Sequence, residues 1–338
     1  MENIDWKNLG FSYIKTDSNV RCYWKDGKWG ELTLTSDEYI PLHMACTALH
    51  YGQDAFEGLK AFRGKDGKIR IFRMEENAKR MISSGEYLRM AAPSIELFSE
   101  AVVKVVKANE RFVPPYGTGA SLYIRPLLIG SGAQVGVKPA DEFLFLVFVT
   151  PVGPYYKEGF HPIKAIVDRD HDRAAPLGTG HIKAGGNYGA SLISGDWAHE
   201  LGYSSVIYLD AAHKKYIDEC GAMNFFGVRG NSYITPQSHS VLPSITNMSL
   251  CRLAEDAGMT VERRNIPIEE IETFDEAGGC GTAAVISPLS SVFDPGTGKT
   301  YTFGDGASTG KWSTLLYNKL RAIQLGDEPD PYGWNTVL

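Results

Sequence analysis

Lys183 stands in the stretch His181-Ile182-Lys183-Ala184-Gly185-Gly186-Asn187-Tyr188-Gly189, a glycine-rich run with a tyrosine shortly after the lysine. Lysine is the side chain that forms imines with carbonyl compounds, and burial lowers its pKa toward that of a usable base. Glycines let a backbone approach a planar ligand closely. A solvated loop lysine would also fit these nine residues. The second chemical segment is Asp218-Glu219-Cys220-Gly221-Ala222-Met223-Asn224-Phe225-Phe226, where an acid ends a short strand and is followed by small residues and then aromatics. A carboxylate in such a context costs energy unless it has a partner. A pyridinium N–H is such a partner, and keeping that nitrogen protonated makes the ring an electron sink; an exposed turn acid is the other reading. Leu242-Pro243-Ser244-Ile245-Thr246-Asn247 precedes a predicted helix. Ser244 or Thr246 can cap it, and the N–H groups there suit a phosphate, or form an ordinary cap. Gly279-Cys280-Gly281-Thr282-Ala283-Ala284 is a small-residue run that either lines a tight pocket or packs closely on a neighbour.

The elements that must position these residues follow from pattern. Asp26-Gly27 and Lys65-Asp66-Gly67 sit between apolar stretches and predict hairpins. Helices are expected at about 75–87 and 95–108, the second with apolar residues at 95, 98, 102, 105 and 106. A strand begins at Tyr123-Ile124-Arg125, and Phe143 to Val149 is a continuous apolar run suited to a strand buried on both faces. Pro151-Val152-Gly153-Pro154 breaks the pattern, which places a linker at 153–164. Beyond it come a strand from Ile163, a glycine-rich loop at 178–189, a helix at about 190–202, strands from Val206 and Tyr216, and a helix from Thr246 to Ala257.

Several motifs lead elsewhere. Asp294-Pro295-Gly296-Thr297-Gly298-Lys299-Thr300 looks like the end of a phosphate-binding loop and would support a nucleotide-binding switch. Its first glycine position is Phe293, however, and no helix start follows, so a hairpin turn is expected. Gly178-Thr179-Gly180 lacks the third glycine of a dinucleotide fingerprint. The histidines form no His-Glu-x-x-His pair, and no metal is expected. The net charge of -6 argues against a nucleic-acid binder. The apolar run at 143–149 is far shorter than the roughly 20 residues of a membrane helix. No signal peptide is expected from the first residues, and five scattered cysteines without Cys-x-x-Cys fit a reducing, cytoplasmic setting.

Together and in this order, the segments resemble the branched-chain aminotransferases of the type IV pyridoxal-phosphate (PLP) fold, from Phe11 to the final helix. The motifs that carry the resemblance are Phe56-Glu57-Gly58-Leu59-Lys60-Ala61-Phe62, Leu122-Tyr123-Ile124-Arg125-Pro126, Lys183-Ala184-Gly185-Gly186-Asn187-Tyr188, Glu219-Cys220-Gly221-Ala222-Met223-Asn224 and Gly281-Thr282-Ala283-Ala284. The resemblance implies an α/β (α+β) two-domain fold: a small N-terminal α/β domain over 1–152, the linker, and a larger C-terminal PLP-binding domain over 165–338 with a barrel-like sheet. It implies that Lys183 bonds the cofactor as a Schiff base and moves the proton, that Glu219 pairs with the pyridine nitrogen, and that Tyr188 bonds the ring 3-oxygen. Arg80, the Ile245 and Thr246 N–H groups and Thr282 would hold the phosphate; pattern alone makes Arg80 a solvated helix arginine.

For the substrate, the resemblance implies aromatic walls from Phe11, Tyr51, Phe56 and Tyr155. Arg125 would serve the distal carboxylate of glutamate, and Tyr123, Thr282 and Ala283 the α-carboxylate. The implied partners are branched-chain L-amino acids, L-glutamate and 2-oxo acids, with a homodimer in which Tyr51 and Val137 reach the partner's site. Some animal relatives carry a redox Cys-x-x-Cys after the Gly-Thr-Ala run; Ala284 and Ser287 stand there, so no such thiol switch is expected. D-amino-acid aminotransferases and aminodeoxychorismate lyases share the fold; Tyr-x-Arg at 123–125 and the long N-terminal segment favour the branched-chain type. A carrier that binds PLP without turning it over is a further alternative.

Overall fold

The computed structural model describes residues 4–155 and 159–338. The chain divides into two compact units: Met1–Lys157 with Ile182–Gly185 and Ala322–Leu338, and Glu158–His181 with Gly186–Arg321. Of the linker placed at 153–164, residues 156–158 lie outside the described residues, and Ile163 already begins a strand, Ile163–Asp168. The first unit also keeps two segments from beyond residue 165, because each is hydrogen-bonded to its strands. Ala184 bridges Ala55, and the strand Asn335–Val337 pairs with Ile69–Phe72.

The first unit is built on one sheet of nine strands among the described residues. Asp26 and Gly27 both take positive φ, 51° and 79°, as a two-residue hairpin loop requires. They set Trp24 opposite Trp29 and Lys25 opposite Lys28. The second expected hairpin pairs Leu59–Arg63 with Ile69–Phe72, Phe62 facing Arg70. Ser121–Gly130 and Phe143–Val152 form the long central pair, Ser121 opposite Val152 and Gly130 opposite Phe143. The period of two sends Phe143, Phe145, Val147 and Val149 to one face, against the helices. Leu144 and Leu146 go to the other, with Ile40, Leu42 and Phe148.

The helices Met74–Tyr87 and Ile95–Ala108 cover the first face. Phe98, Ala101, Val102, Val105 and Val106 make the buried stripe of the second helix, and Ser94 caps it by accepting the Leu97 N–H at 3.2 Å. Its other end is closed by Asn109, which is fully buried. The Asn109 Oδ1 accepts the N–H groups of Asp17 and Ser18, and its Nδ2 donates to the carbonyls of Ser18 and Val105.

Pro126 interrupts the sheet at one point. In an antiparallel ladder a residue's N–H and C=O face the same neighbour. The Pro126 carbonyl accepts the Glu57 N–H at 2.8 Å, but proline has no N–H to return. The neighbouring chain therefore pairs as two pieces. Asp54–Phe56 lies against Leu127–Ile129, and Leu59–Ala61 against Leu122–Ile124. Glu57 and Gly58 fall in the gap between them.

In the second unit, Ile217–Cys220, Ser205–Leu209, Ile163–Asp168, Val285–Asp294, Glu276–Gly281 and Met223–Arg229 pair in succession, and the last pairs back to the first. This closes the expected barrel. Its glycines admit large neighbours: a Cβ on Gly278 would lie 2.7 Å from the Phe226 ring, which stacks on Tyr233 at 5.1 Å. The stretch that resembled a phosphate loop is a hairpin, Asp294 opposite Lys299, with Gly298 at φ 69°.

Replacing the Asn109 side chain would remove the partners of two part-buried N–H groups and of the Ser18 carbonyl, at a fully buried position. Asn109→Leu is predicted to lower the unfolding free energy by about 3 kcal/mol. Urea denaturation followed by tryptophan fluorescence checks this; an unshifted midpoint would show that these four bonds do not hold the helix end.

Candidate active site

In the first unit, Lys183 lies on a short segment stitched along Asp54–Phe56. The Phe56 N–H donates to the Lys183 carbonyl at 3.0 Å, the Lys183 N–H donates to Ser84 Oγ at 3.1 Å, and the Gly185 N–H donates to Asp54 Oδ1 at 2.8 Å. Burial raises the Asp54 pKa, a shift opposed by the Gly185 N–H. The lysine backbone is thus tied on both sides, and its Nζ lies 4.7 Å from the centre of the Phe56 ring. Arg125 stacks on the same ring at 4.8 Å and donates from Nη2 to the Tyr123 hydroxyl at 3.1 Å. The Arg125 Nε is buried and finds no hydrogen-bond acceptor among the described residues. Phe11 packs edge-on against both Tyr123 and Tyr155, with centroids 5.3 and 5.5 Å apart.

Arg80 is not a solvated helix arginine. Its Nε and Nη2 both donate to the carboxylate of Glu57 at 2.7 Å, a bidentate pair, and Asn77 Nδ2 adds a third donor at 2.8 Å. Glu57 has no exposed side-chain surface. It reaches this position because the ladder opens opposite Pro126. Gly58 leaves room for Tyr123, whose hydroxyl would stand 2.1 Å from a Cβ there. Glu57, though part of a motif, and Asn77 and Ser84 were given no role from the sequence: nothing in the spacing from Glu57 to Arg80 marks them as partners.

In the second unit, Glu219 sits on a barrel strand and is 4% exposed. Its Oε1 accepts the Leu242 N–H at 2.8 Å and lies 3.4 Å from Asn224 Nδ2. Its Oε2 lies 3.5 Å from Arg173 Nε, so a buried counter-charge balances it. Arg173 is anchored by the carbonyls of Gly180 and Ser240; it directly follows the polar run Asp170-His171-Asp172, which hid it in the sequence. The neighbouring Asp218 accepts from Ser240 Oγ at 2.6 Å, and burial raises its pKa. The thiol of Cys220 is pushed up to about 11 by burial, which makes it unreactive.

Tyr188 is half-buried on the helix Gly185–Ala190, which replaces the end of the expected loop. Asn187 holds the start of that helix by accepting from Thr179 Oγ1 at 2.6 Å and donating to the Thr179 carbonyl at 2.8 Å. Ser244 caps Ile245–Asp256 by accepting the Asn247 N–H at 3.2 Å, and the Met248 N–H reaches the Ser244 carbonyl. The N–H groups of Ile245 and Thr246 have no partner within the helix. Thr282 and Ala283 form the turn between two barrel strands, and Val285 beyond them takes φ 67°, a strained conformation for a β-branched residue.

Residues 54–292 match the model for amino-transferase class IV. The chain belongs to the class IV aminotransferases. It is 48% identical to a branched-chain-amino-acid aminotransferase of Haemophilus influenzae, over 99% of this chain and 98% of that one. It is 47% identical to the protein of the same name in Helicobacter pylori, with the same coverage. Among solved structures, that of the Escherichia coli branched-chain amino acid aminotransferase aligns with a TM-score of 0.79, at 28% identity, over 95% of this chain and 99% of that chain.

Within this class IV aminotransferase, the first unit gathers Lys183, Phe56, Tyr123, Arg125, Phe11, Tyr155 and, through Glu57, Arg80. The second carries Tyr188, Glu219, Ile245, Thr246, Thr282 and Ala283. Tyr51 and Val137 are exposed, and the Tyr51 hydroxyl donates to the Val135 carbonyl. Glu57→Gln would leave the buried Arg80 without its counter-charge. It is predicted to lower the thermal midpoint by on the order of 6 °C; a midpoint unchanged by calorimetry would mean the pair does not hold the helix to the sheet.

Proposed function

We propose that this chain exchanges an amino group between L-leucine, L-isoleucine or L-valine and 2-oxoglutarate, with pyridoxal phosphate as cofactor, giving branched-chain 2-oxo acids and L-glutamate. The observation that carries the reading is Lys183, tied through its own backbone with its amine over the Phe56 ring, in a chain nearly half identical to aminotransferases named for these substrates. A solved branched-chain amino acid aminotransferase is complexed with N-(5'-phosphopyridoxyl)-L-glutamate; it is 27% identical with a TM-score of 0.75, over 93% of this chain and 97% of that chain.

The residues suit the cofactor by type. A primary amine, a buried carboxylate balanced by Arg173, and a capped helix whose first N–H groups have no partner in the helix are the donors and acceptors it needs. When bound, the cofactor supplies an aldehyde carbon that takes up amino groups and a ring that draws electrons from the substrate α-carbon. Lys183 would hold it and, once displaced, its Nζ would move the proton from the α-carbon. Glu219 would keep the ring nitrogen protonated, and Tyr188 would bond the ring 3-oxygen. Arg80, the N–H groups of Ile245 and Thr246, and Thr282 would hold the phosphate. Phe11, Phe56, Tyr155 and the partner's Tyr51 and Val137 would wall an aliphatic side chain. Arg125 would take the distal carboxylate of glutamate or 2-oxoglutarate, and Tyr123 with the Thr282 and Ala283 N–H groups the α-carboxylate.

A homodimer belongs to this reading. Val137 is 87% and Val135 82% exposed, which is costly for apolar side chains unless something covers them. A cytoplasmic setting also belongs to it, in keeping with five buried free cysteines. No helix among the described residues is long and apolar enough to cross a membrane.

Lys183→Ala is predicted to reduce leucine transamination by about 10⁴-fold or more; substantial remaining turnover would remove the central assignment. Glu219→Gln should lower kcat by roughly 10²-fold while leaving cofactor affinity within a few-fold. Stopped-flow turnover and a cofactor titration separate the two, and an unchanged kcat would remove the electron-sink role. A spectrum of the holoenzyme should lose its long-wavelength band on addition of L-leucine but not D-alanine.

A further inference from the structure

The face of the first unit's sheet that carries Tyr123 and Arg125 carries a second arginine. Arg21 lies on the strand Asn19–Lys25, opposite Leu146 on the strand Phe143–Val152. It is only 8% exposed. Its Nε donates to Asn19 Oδ1 at 3.0 Å, and its Nη2 donates to the carbonyls of Asp37 and Tyr39. None of these partners is charged, and its Nη1 makes no hydrogen bond among the described residues. A guanidinium held only by neutral partners, with one nitrogen left open to a cavity, is placed to take an anion.

Arg21 also lines a cavity of about 380 Å³. That volume is within the range of small-molecule sites. Leu146, Phe148, Ile40 and Tyr13 give it an apolar wall, and Glu38 also lines it. The acid is already committed: Glu38 accepts from the Tyr13 hydroxyl at 2.6 Å and pairs with Lys15 at 2.6 Å. Paired with Lys15, Glu38 adds no net charge to the cavity, and the Arg21 guanidinium is the lining cation that no carboxylate among the described residues pairs.

We propose that this cavity is a second ligand site, separate from Lys183, for a small carboxylate with a branched or aromatic hydrocarbon body and no ammonium group. The Arg21 guanidinium takes the carboxylate through its Nη1 edge, and Leu146, Phe148 and Ile40 take the hydrocarbon. Ligands of the 2-oxo acid type fit this description; their amino-acid counterparts carry an extra cation beside Arg21. The proposal does not rest on the assignment of the reaction.

Crystals of the holoenzyme soaked with 4-bromobenzoate test it through bromine anomalous scattering. A peak beside Arg21 is expected in the natural chain and none in Arg21→Gln. Because Arg21 also holds two backbone carbonyls, Ile40→Trp is the second variant: it keeps the cation, fills the cavity and should also abolish the peak. In solution, 4-fluorobenzoate binding followed by fluorine NMR should weaken at least tenfold in both variants. Phenylpyruvate should displace the probe and D-phenylalanine should not. A missing peak, a peak retained in both variants, or a partner subunit's side chain already seated on Arg21 would overturn the site. Equal displacement by D-phenylalanine would overturn the assignment to an ammonium-free anion.

Discussion

The first unit's functional side chains depend on one missing hydrogen bond donor. Pro126 stands in the middle of a long strand, accepts one bond from the neighbouring chain and returns none. Where the ladder opens, Glu57 turns inward to clasp Arg80 and Asn77, and Gly58 makes room for the Tyr123 ring. Immediately before the gap, Phe56 donates its N–H to the carbonyl of Lys183 and offers its ring to the lysine amine. The gap at this proline thus brings a strand phenylalanine and tyrosine together with a helix arginine and the lysine segment bonded beside it.

The second unit meets a different constraint. In the barrel wall a strand rich in glycine lies beside one rich in large side chains, and the glycines make room on both faces: Gly278 beneath Phe226, and Gly279 where a Cβ would fall 2.8 Å from Met223. The same closure buries Glu219, and burial is what demands Arg173. The acid and its counter-ion are thus products of the packing as much as of the chemistry.

Much of this was legible in the sequence where local rules act alone. The Asp-Gly hairpins, the stripe of the helix Ile95–Ala108 and the doubly buried strand after Phe143 follow from turn chemistry and periodicity, and all formed as expected. The expected helix from Thr246 begins one residue earlier, at Ile245, with Ser244 as its cap. Other features needed tertiary information. Gly185–Ala190 contains three glycines and reads as loop, yet it is helical because Asn187 pins it to Thr179. Glu276–Gly281 has the composition of a turn and becomes a strand because its glycines fit the barrel. Arg80 looked solvated because its acid partner is far away in the chain. The last residues join the first unit through Asn335–Val337, a pairing that no local pattern announces.

The charges sort by what balances them. Arg80, Arg169 and Arg173 each face a buried carboxylate, Glu57, Asp294 and Glu219, and serve to fix elements in place. Arg125 and Arg21 are different. Among the described residues neither pairs with a carboxylate; each is held by hydroxyl, amide, carbonyl or ring partners, and each keeps part of its donor edge unsatisfied. They lie on adjoining strand pairs of one sheet face, Arg125 opposite Phe148 and Arg21 opposite Leu146. Two cations left uncompensated on one face create a positive potential that an anionic metabolite would lower. A chain with an overall charge of -6 has acids in surplus. Glu38, which lines the cavity with Arg21, is paired with Lys15, so both arginines keep no carboxylate partner of their own among the described residues.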